Sequence, residues 1–275
     1  MTKRRVVAGI DGSPAAEIAI RWAATEAAAR GAELRLVHAF VWPLFHVPLG
    51  ASDAAPGLRA AADRIVRESV ESARKFEPGI TVEGLRADGF PAPVLIEAST
   101  DADVVVIGSR GLGVTLGALI GSTGLDLTAN AHCPVVVVHP GETTATELDA
   151  VPGPVVIGYD GSSPSLKALD FGLEYARRHS LPVRVIAARH LADDAMHDPE
   201  SELAARDGGS DADIVRVTGH PAEEILRLSA NASLIVLGSR GRGGFAGMML
   251  GSVSQTVLHY ATSPVAVIPA ATVGG

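Results

Sequence analysis

The sequence predicts an α/β protein of two doubly wound domains in tandem, each built on a five-stranded parallel sheet. Short β-branched runs such as Val104 to Ile107 and Val135 to Val138 are continuous rather than alternating, as strands covered on both faces are. Punctuated helical stretches separate these runs, the alternation expected of a doubly wound sheet. The pattern also occurs twice: Val6-Val7-Ala8-Gly9-Ile10-Asp11-Gly12-Ser13 returns as Val155-Val156-Ile157-Gly158-Tyr159-Asp160-Gly161-Ser162.

Taken in order, the first repeat opens on the strand that ends at Asp11. A helix follows, with Ser13 as its N-cap, Pro14 in its first turn and Gly31 just past its end. After the second strand, Leu34 to Val37, comes an amphipathic stretch from Gly57 to Phe76. It carries Leu58, Ala61, Ala62, Ile65, Val66, Val70 and Ala73 at helical spacing. A third strand and helix lead to the fourth strand at Val104, then to a glycine-rich loop, a fourth helix and the last strand at Val135. Residues 141–153 are polar and lack apolar periodicity, so they read as a linker between domains at 1–140 and 154–275.

In the second repeat the counterparts of strands 1, 2, 4 and 5 are Val155 to Tyr159, Val183 to Ile186, Leu234 to Leu237 and Val265 to Ile268. Asp11 and Asp160 are 149 positions apart but Gly108 and Gly238 only 130, so repeat 2 is 19 residues shorter between its second and fourth strands. The loss falls on the amphipathic helix, of which a stub around Ser201 to Arg206 is expected.

With 275 residues, 47% of them hydrophobic and 20% charged, the chain is able to build two cores. Its net charge of -8 argues against non-specific nucleic-acid or anionic-membrane binding, which need a basic surface. Asp11 interrupts the N-terminal apolar run before a signal-peptide core is complete, and no apolar run approaches the roughly 18 residues of a membrane span. Cys133 is the single cysteine, which rules out an intramolecular disulfide and a cysteine metal cluster. A reducing cytoplasm is the expected setting.

The chemistry lies in a loop pattern that also occurs twice, Gly108-x2-Gly111-x9-Gly121-Ser122 and Gly238-x2-Gly241-x9-Gly251-Ser252. Glycines let backbone N–H groups approach an anion, and the helix that follows offers uncompensated N–H groups and the positive end of its dipole. Ligands of open α/β sheets sit at the carboxyl ends of the strands, where Asp11 and Asp160 also lie. A carboxylate there accepts hydrogen bonds from sugar or base. Arg110 and Arg240 lie inside the loops. No Gly-x4-Gly-Lys-Ser/Thr, helical His-x3-His or Gly-x-Ser-x-Gly is present, and Gly241-x-Gly243-x-x-Ala246 follows a fourth strand rather than opening a domain. His38 reads as a packed or loop histidine and Cys133 as a small filler. The residues suggest two nucleotide sites and no catalytic or metal-binding group.

On these motifs the chain resembles a tandem universal stress protein over almost its whole length. The resemblance implies an adenine nucleotide alpha hydrolase-like fold with strand order 3-2-1-4-5, and ATP held in each repeat; because neither loop carries a lysine, Mg2+ is expected to help neutralise the phosphates. The resemblance implies nucleoside contacts from Gly9, Asp11 and Ala39, and from Gly158, Asp160 and Ala188. Phosphate and ribose contacts would come from Gly108, Gly111, Gly121, Ser122 and Thr123, and from Gly238, Gly241, Gly251, Ser252, Val253 and Ser254. Repeat 1 departs from the family pattern, carrying Gly124 where repeat 2 has Ser254. The resemblance further implies domains paired through their fifth strands, a homodimer, an unidentified protein partner and a regulatory role in stress response or growth. Slow ATP hydrolysis, adenylyl transfer and a nucleotide-free scaffold stay open as alternatives.

Overall fold

The computed structural model describes residues 4–41, 54–110, 120–139, 152–189, 198–242 and 250–270. The first repeat comprises β1 (Arg5–Gly9), α1 (Pro14–Arg30), β2 (Glu33–Phe40), α2 (Ala54–Phe76), β3 (Val82–Asp88), α3 (Pro91–Ala98), β4 (Val104–Gly108), α4 (Ser122–Asn130) and β5 (Val135–Val138). The second comprises β6 (Val155–Tyr159), α5 (Ser163–His179), β7 (Val183–Arg189), α6 (Glu200–Ala204), β8 (Asp213–Thr218), α7 (Pro221–Leu228), β9 (Leu234–Gly238), α8 (Ser252–Tyr260) and β10 (Val265–Ile268).

Local chemistry explains where the helices start and stop. Ser13 accepts a hydrogen bond from the Ala16 N–H at 3.1 Å, and Pro14 opens α1 where its missing N–H costs nothing. Gly31 ends α1 with φ of 60°. Ser162 caps α5 in the same way, but α5 ends on Ser180 at φ 55°, a left-handed conformation that a side chain disfavours.

Within each repeat the strands are parallel, in the order 3-2-1-4-5. The two halves join through β5 and β10, which pair antiparallel with Val137 opposite Val265 and Val135 opposite Val267. One ten-stranded sheet results, β3-β2-β1-β4-β5-β10-β9-β6-β7-β8, and its palindromic order carries a pseudo-twofold axis between β5 and β10. An edge strand that would otherwise leave its N–H and C=O groups unpaired is covered by its counterpart.

Two apolar layers flank the sheet. Ala19, Ile20 and Ala23 of α1, with Ala168 and Leu169 of α5, pack on one face. Leu95 of α3, Leu127 of α4, Ile225 of α7 and Leu258 of α8 pack on the other. Both layers cross the domain joint. On the first face, Trp22 stacks on Tyr175 with ring centroids 5.9 Å apart, and Glu26, 1% exposed, accepts hydrogen bonds from Arg30, Arg178 and His179.

The trimmed helix of repeat 2 is where the sequence places it. In repeat 1, Val66 and Val70 of α2 lie so close to Gly84 of β3 that an added Cβ would sit 2.5 Å and 2.8 Å from them. The shorter α6 contributes the buried Leu203, and beside it Arg206 pairs with Asp170 and Glu202 while Arg216 pairs with Asp198 and Glu200. Charged pairs thus stand where repeat 1 has a helix face. Most of the expected linker lies outside the described residues; its last residue, Gly153, packs against Asn231 and accepts a hydrogen bond from Ser233 Oγ at 2.7 Å.

Candidate functional site

Four elements meet at the carboxyl end of each half-sheet: the turn after the first strand, the end of the second, the loop after the fourth and the helix that follows it. Gly12 and Gly161 make the turns possible, at φ of 79° and 75°. Each turn aims its aspartate back onto the following serine, so that Asp11 Oδ1 accepts from Ser13 N at 2.9 Å and Asp160 Oδ1 from Ser162 N at 3.0 Å. Ser162 Oγ also donates to Asp160 Oδ1 at 2.6 Å.

In repeat 2 the loop closes directly on this carboxylate. Arg242 N donates to Asp160 Oδ2 at 3.0 Å, and a Cβ on Gly241 would lie 2.5 Å from the same oxygen. Glycine at 241 is therefore required by the approach of loop to aspartate. Gly238 and Gly108 meet a different demand, because an added Cβ would fall 2.7 Å from the first turn of α5 or α1. Gly9 is set by Leu95 and Ile107, and Gly158 by Leu237 and Ile225. These four glycines serve close packing around the site. Gly111 lies outside the described residues, as does most of the apolar stretch expected at Gly113 to Ile120 and Phe245 to Leu250.

The helices after the loops behave unlike α1 and α5. Gly121 and Gly251 occupy the N-cap positions of α4 and α8, in extended conformation and with no side chain to accept from the first turn. Gly251 has ordinary van der Waals room, the nearest neighbour of an added Cβ being 3.5 Å away, so packing does not demand a glycine there. The N–H groups at Ser122 and Thr123, and at Ser252 and Val253, start helices at the carboxyl edge of the sheet with Ser122 and Ser252 exposed. Such a terminus suits a phosphate. The glycine caps, with no carboxylate among their capping groups, fit an anion.

Ser254 is placed otherwise. It is 4% exposed, and its hydroxyl donates to the Gly238 carbonyl at 2.7 Å, tying the first turn of α8 to the end of β9. Gly124 replaces it in repeat 1, where an added Cβ would sit 2.8 Å from Ile120, so an apolar contact takes the place of the hydroxyl. Ala39 and Ala188 sit on β2 and β7, paired with Ala87 and Val217 of the neighbouring strands. His38 is tied to the Ile10 carbonyl through Nδ1 at 2.9 Å, as a packed histidine would be. Burial pushes the Cys133 thiol up to about 12, which keeps it protonated and unreactive. The exposed Arg110 and Arg240 follow the first two loop residues.

Sequence reasoning missed the part played by Arg242, whose contribution is a backbone N–H and carries no side-chain signature. It also missed Ser239, which follows Gly238 and accepts from Ala270 N at 2.9 Å. Comparing the two repeats residue by residue was the available signal. Among the described residues, no cluster of three His, Cys, Asp or Glu side chains is arranged to hold a metal, and no helix is long and apolar enough to cross a membrane.

Comparison with known proteins agrees with the repeat. The model of the universal stress protein family matches residues 3–139 and again 153–269. Two universal stress proteins of Mycobacterium tuberculosis strain H37Rv are similar along nearly their whole length. One is 34% identical over 290 residues, covering 95% of this chain and 96% of the relative. The other is 35% identical over 290 residues, covering 95% of each. A universal stress protein from Archaeoglobus fulgidus of known crystal structure shares the fold, with a TM-score of 0.76 at 20% identity, covering 98% of this chain and 99% of that one.

Proposed function

The chain belongs to the universal stress protein family, and we propose that it is a cytoplasmic regulator of stress response or growth that binds one ATP in each repeat. The observation that carries the reading is the pair of glycine-capped helix starts at α4 and α8, each beside an aspartate-bearing turn at the same sheet edge. Uncapped N–H groups favour phosphate. Asp11 and Asp160 are suited to accept from the ribose hydroxyls. In repeat 2 this exchanges the Arg242 N–H for the ligand, so loop and nucleotide compete for one carboxylate oxygen. Mg2+ would neutralise the phosphates while keeping most of its own waters, a mode that asks little of protein side chains.

The way the candidate groups are held supports a regulatory rather than a catalytic reading. Asp11 and Asp160 accept hydrogen bonds from their own turns, and the Cys133 thiol is buried and protonated. None is poised as a base or nucleophile. Two chains pairing into a homodimer would complete the regulatory unit.

Titration calorimetry with MgATP tests the reading. Two nucleotides per chain are expected, falling toward one in Asp11→Ala and in Asp160→Ala. Steady turnover above about 1 s⁻¹, the low end of ordinary enzyme rates, would move the protein among ATP-using enzymes. No heat together with no co-purifying nucleotide would leave only the scaffold.

A further inference from the structure

The two carboxylate oxygens of Asp160 have different partners. Oδ1 accepts from Ser162 N at 3.0 Å and from Ser162 Oγ at 2.6 Å, both inside the turn that the aspartate starts. These bonds hold the turn together with the cap of α5, because Ser162 Oγ also accepts from Ser165 N at 3.3 Å. Oδ2 accepts from outside the turn, from Arg242 N at 3.0 Å, a residue 82 positions away in the chain. The loop backbone crowds the same oxygen, since a Cβ on Gly241 would lie 2.5 Å from it. Oδ2 is therefore the acceptor that a ligand is able to claim, and the loop already occupies it.

The same short piece of loop also rests on the start of α8. Gly251 N donates to the Ser239 carbonyl at 2.7 Å. An added Cβ on Gly251 would meet Arg240 Cα at 3.5 Å and Gly241 N at 3.6 Å. Residues 239–242 thus run from the helix start that suits a phosphate to the carboxylate that suits a sugar. Their outer side is open, with Arg240, Gly241 and Arg242 all exposed. The contact that ties this piece to Asp160 is a single backbone N–H.

We propose that this contact is a latch that a sugar hydroxyl opens: in the free protein the Arg242 N–H fills the acceptor that ribose takes, and the second site therefore selects ribonucleotides over anions that carry phosphate alone. The inference rests on the nucleotide reading given above. A ribose O–H and a backbone N–H are both donors, so the exchange keeps the carboxylate hydrogen-bonded and releases the N–H to solvent or to phosphate. Bonds to a charged acceptor are the strong ones. A ligand without the hydroxyl must leave the loop in place or strip the carboxylate of a partner. That penalty discriminates against the analogue that lacks the group, as it does wherever a site is built to pair a substrate hydroxyl. Phosphate and sugar thus act on the loop differently, the first drawn to the helix start and the second releasing the peptide beside it.

The test uses the intact chain, MgATP and its 2′,3′-dideoxy analogue, with the second site identified as the one whose heat is lost in Asp160→Ala. Arg242→Pro removes the latching N–H while keeping Asp160 and the room that Gly241 provides. It should tighten MgATP at the second site by about two- to tenfold, the net worth of one hydrogen bond, and leave the dideoxy analogue unchanged. Hydrogen exchange at the Arg242 amide of the wild type reads the latch without any variant. Saturating MgATP should speed that exchange, and the dideoxy analogue should not. If MgATP gains no more than the analogue in Arg242→Pro, or if saturating MgATP leaves the Arg242 amide as protected as before, the latch is overturned and the nucleotide reading stands. Absence of MgATP from the second site in both wild type and Arg242→Pro overturns the reading there and the latch with it.

Discussion

At the scale of single residues, the two repeats supply controls for each other. Gly241 and Gly251 both belong to the loop motif, yet an added Cβ strikes Asp160 at the first and meets only ordinary contacts at the second. Gly241→Val should therefore displace the loop and weaken the second site, with binding at the first unchanged, whereas Gly251→Ala should leave the fold intact; calorimetric stoichiometry distinguishes them. Ser180 ends α5 in the left-handed region that Gly31 adopts freely in α1. Ser180→Gly should raise stability by about 1 kcal/mol in denaturant unfolding. The motif glycines were legible in the sequence because each has a fixed spacing, but their separate reasons were not. Gly108 answers to α1 and Gly241 to Asp160, and both distances arise only after the chain has folded. His139, whose Nε2 lies 3.0 Å from the Leu258 carbonyl of α8, escaped notice for a similar reason. Its position after a β-strand is unremarkable until β10 brings α8 over it. Burial lowers the His139 pKa from an ordinary value of 6.5, so the folded state binds fewer protons than the unfolded chain. Its contribution to stability is full above 6.5 and is lost as pH falls below it. A His139→Gln variant should show a flatter stability profile over that range, read by denaturant midpoints at stepped pH.

Among the elements, strands declared themselves through β-branched runs and helices through their caps, since both signals are local. The boundaries moved little: α2 begins at Ala54 rather than Gly57, and the expected stub at Ser201 to Arg206 is the helix Glu200–Ala204. What replaces the lost helix was not legible, because it depends on arginines meeting carboxylates from distant segments. Arg206 bridges Asp170 of α5 and Glu202 of α6. These pairs are partly exposed, and each is worth at most about 1 kcal/mol after solvent screening. Arg206→Ala should accordingly loosen the segment around α6, and added salt should narrow the difference between variant and wild type; hydrogen exchange resolved by segment reads both. β5 makes the opposite case. It is short, but it lies between β4 and β10 and is buried throughout. Val137→Pro removes an N–H in the middle of the sheet, where proline is not tolerated, and should cost about 3 kcal/mol or more, seen as loss of a single cooperative unfolding transition.

Taken as a whole, the molecule is one sheet with a charged knot on one face of its joint and a histidine contact on the other. Glu26 is held below the usual carboxylate range: burial raises it, but the hydrogen bond from His179 and the charges of Arg30 and Arg178 outweigh that. The knot therefore stabilises the joint above pH 4.5 and lets go as pH falls below it. Removing the carboxylate by Glu26→Ala would strand three donors in the interface and should cost on the order of 3–5 kcal/mol, measured by thermal or denaturant unfolding. The antiparallel seam between β5 and β10 has one more consequence. Strands of the two halves run in opposite directions across it, so their carboxyl ends open on opposite rims of the sheet. The two loop-and-turn edges that the repeats share by sequence are therefore held apart by the width of the sheet itself, facing away from each other across the seam.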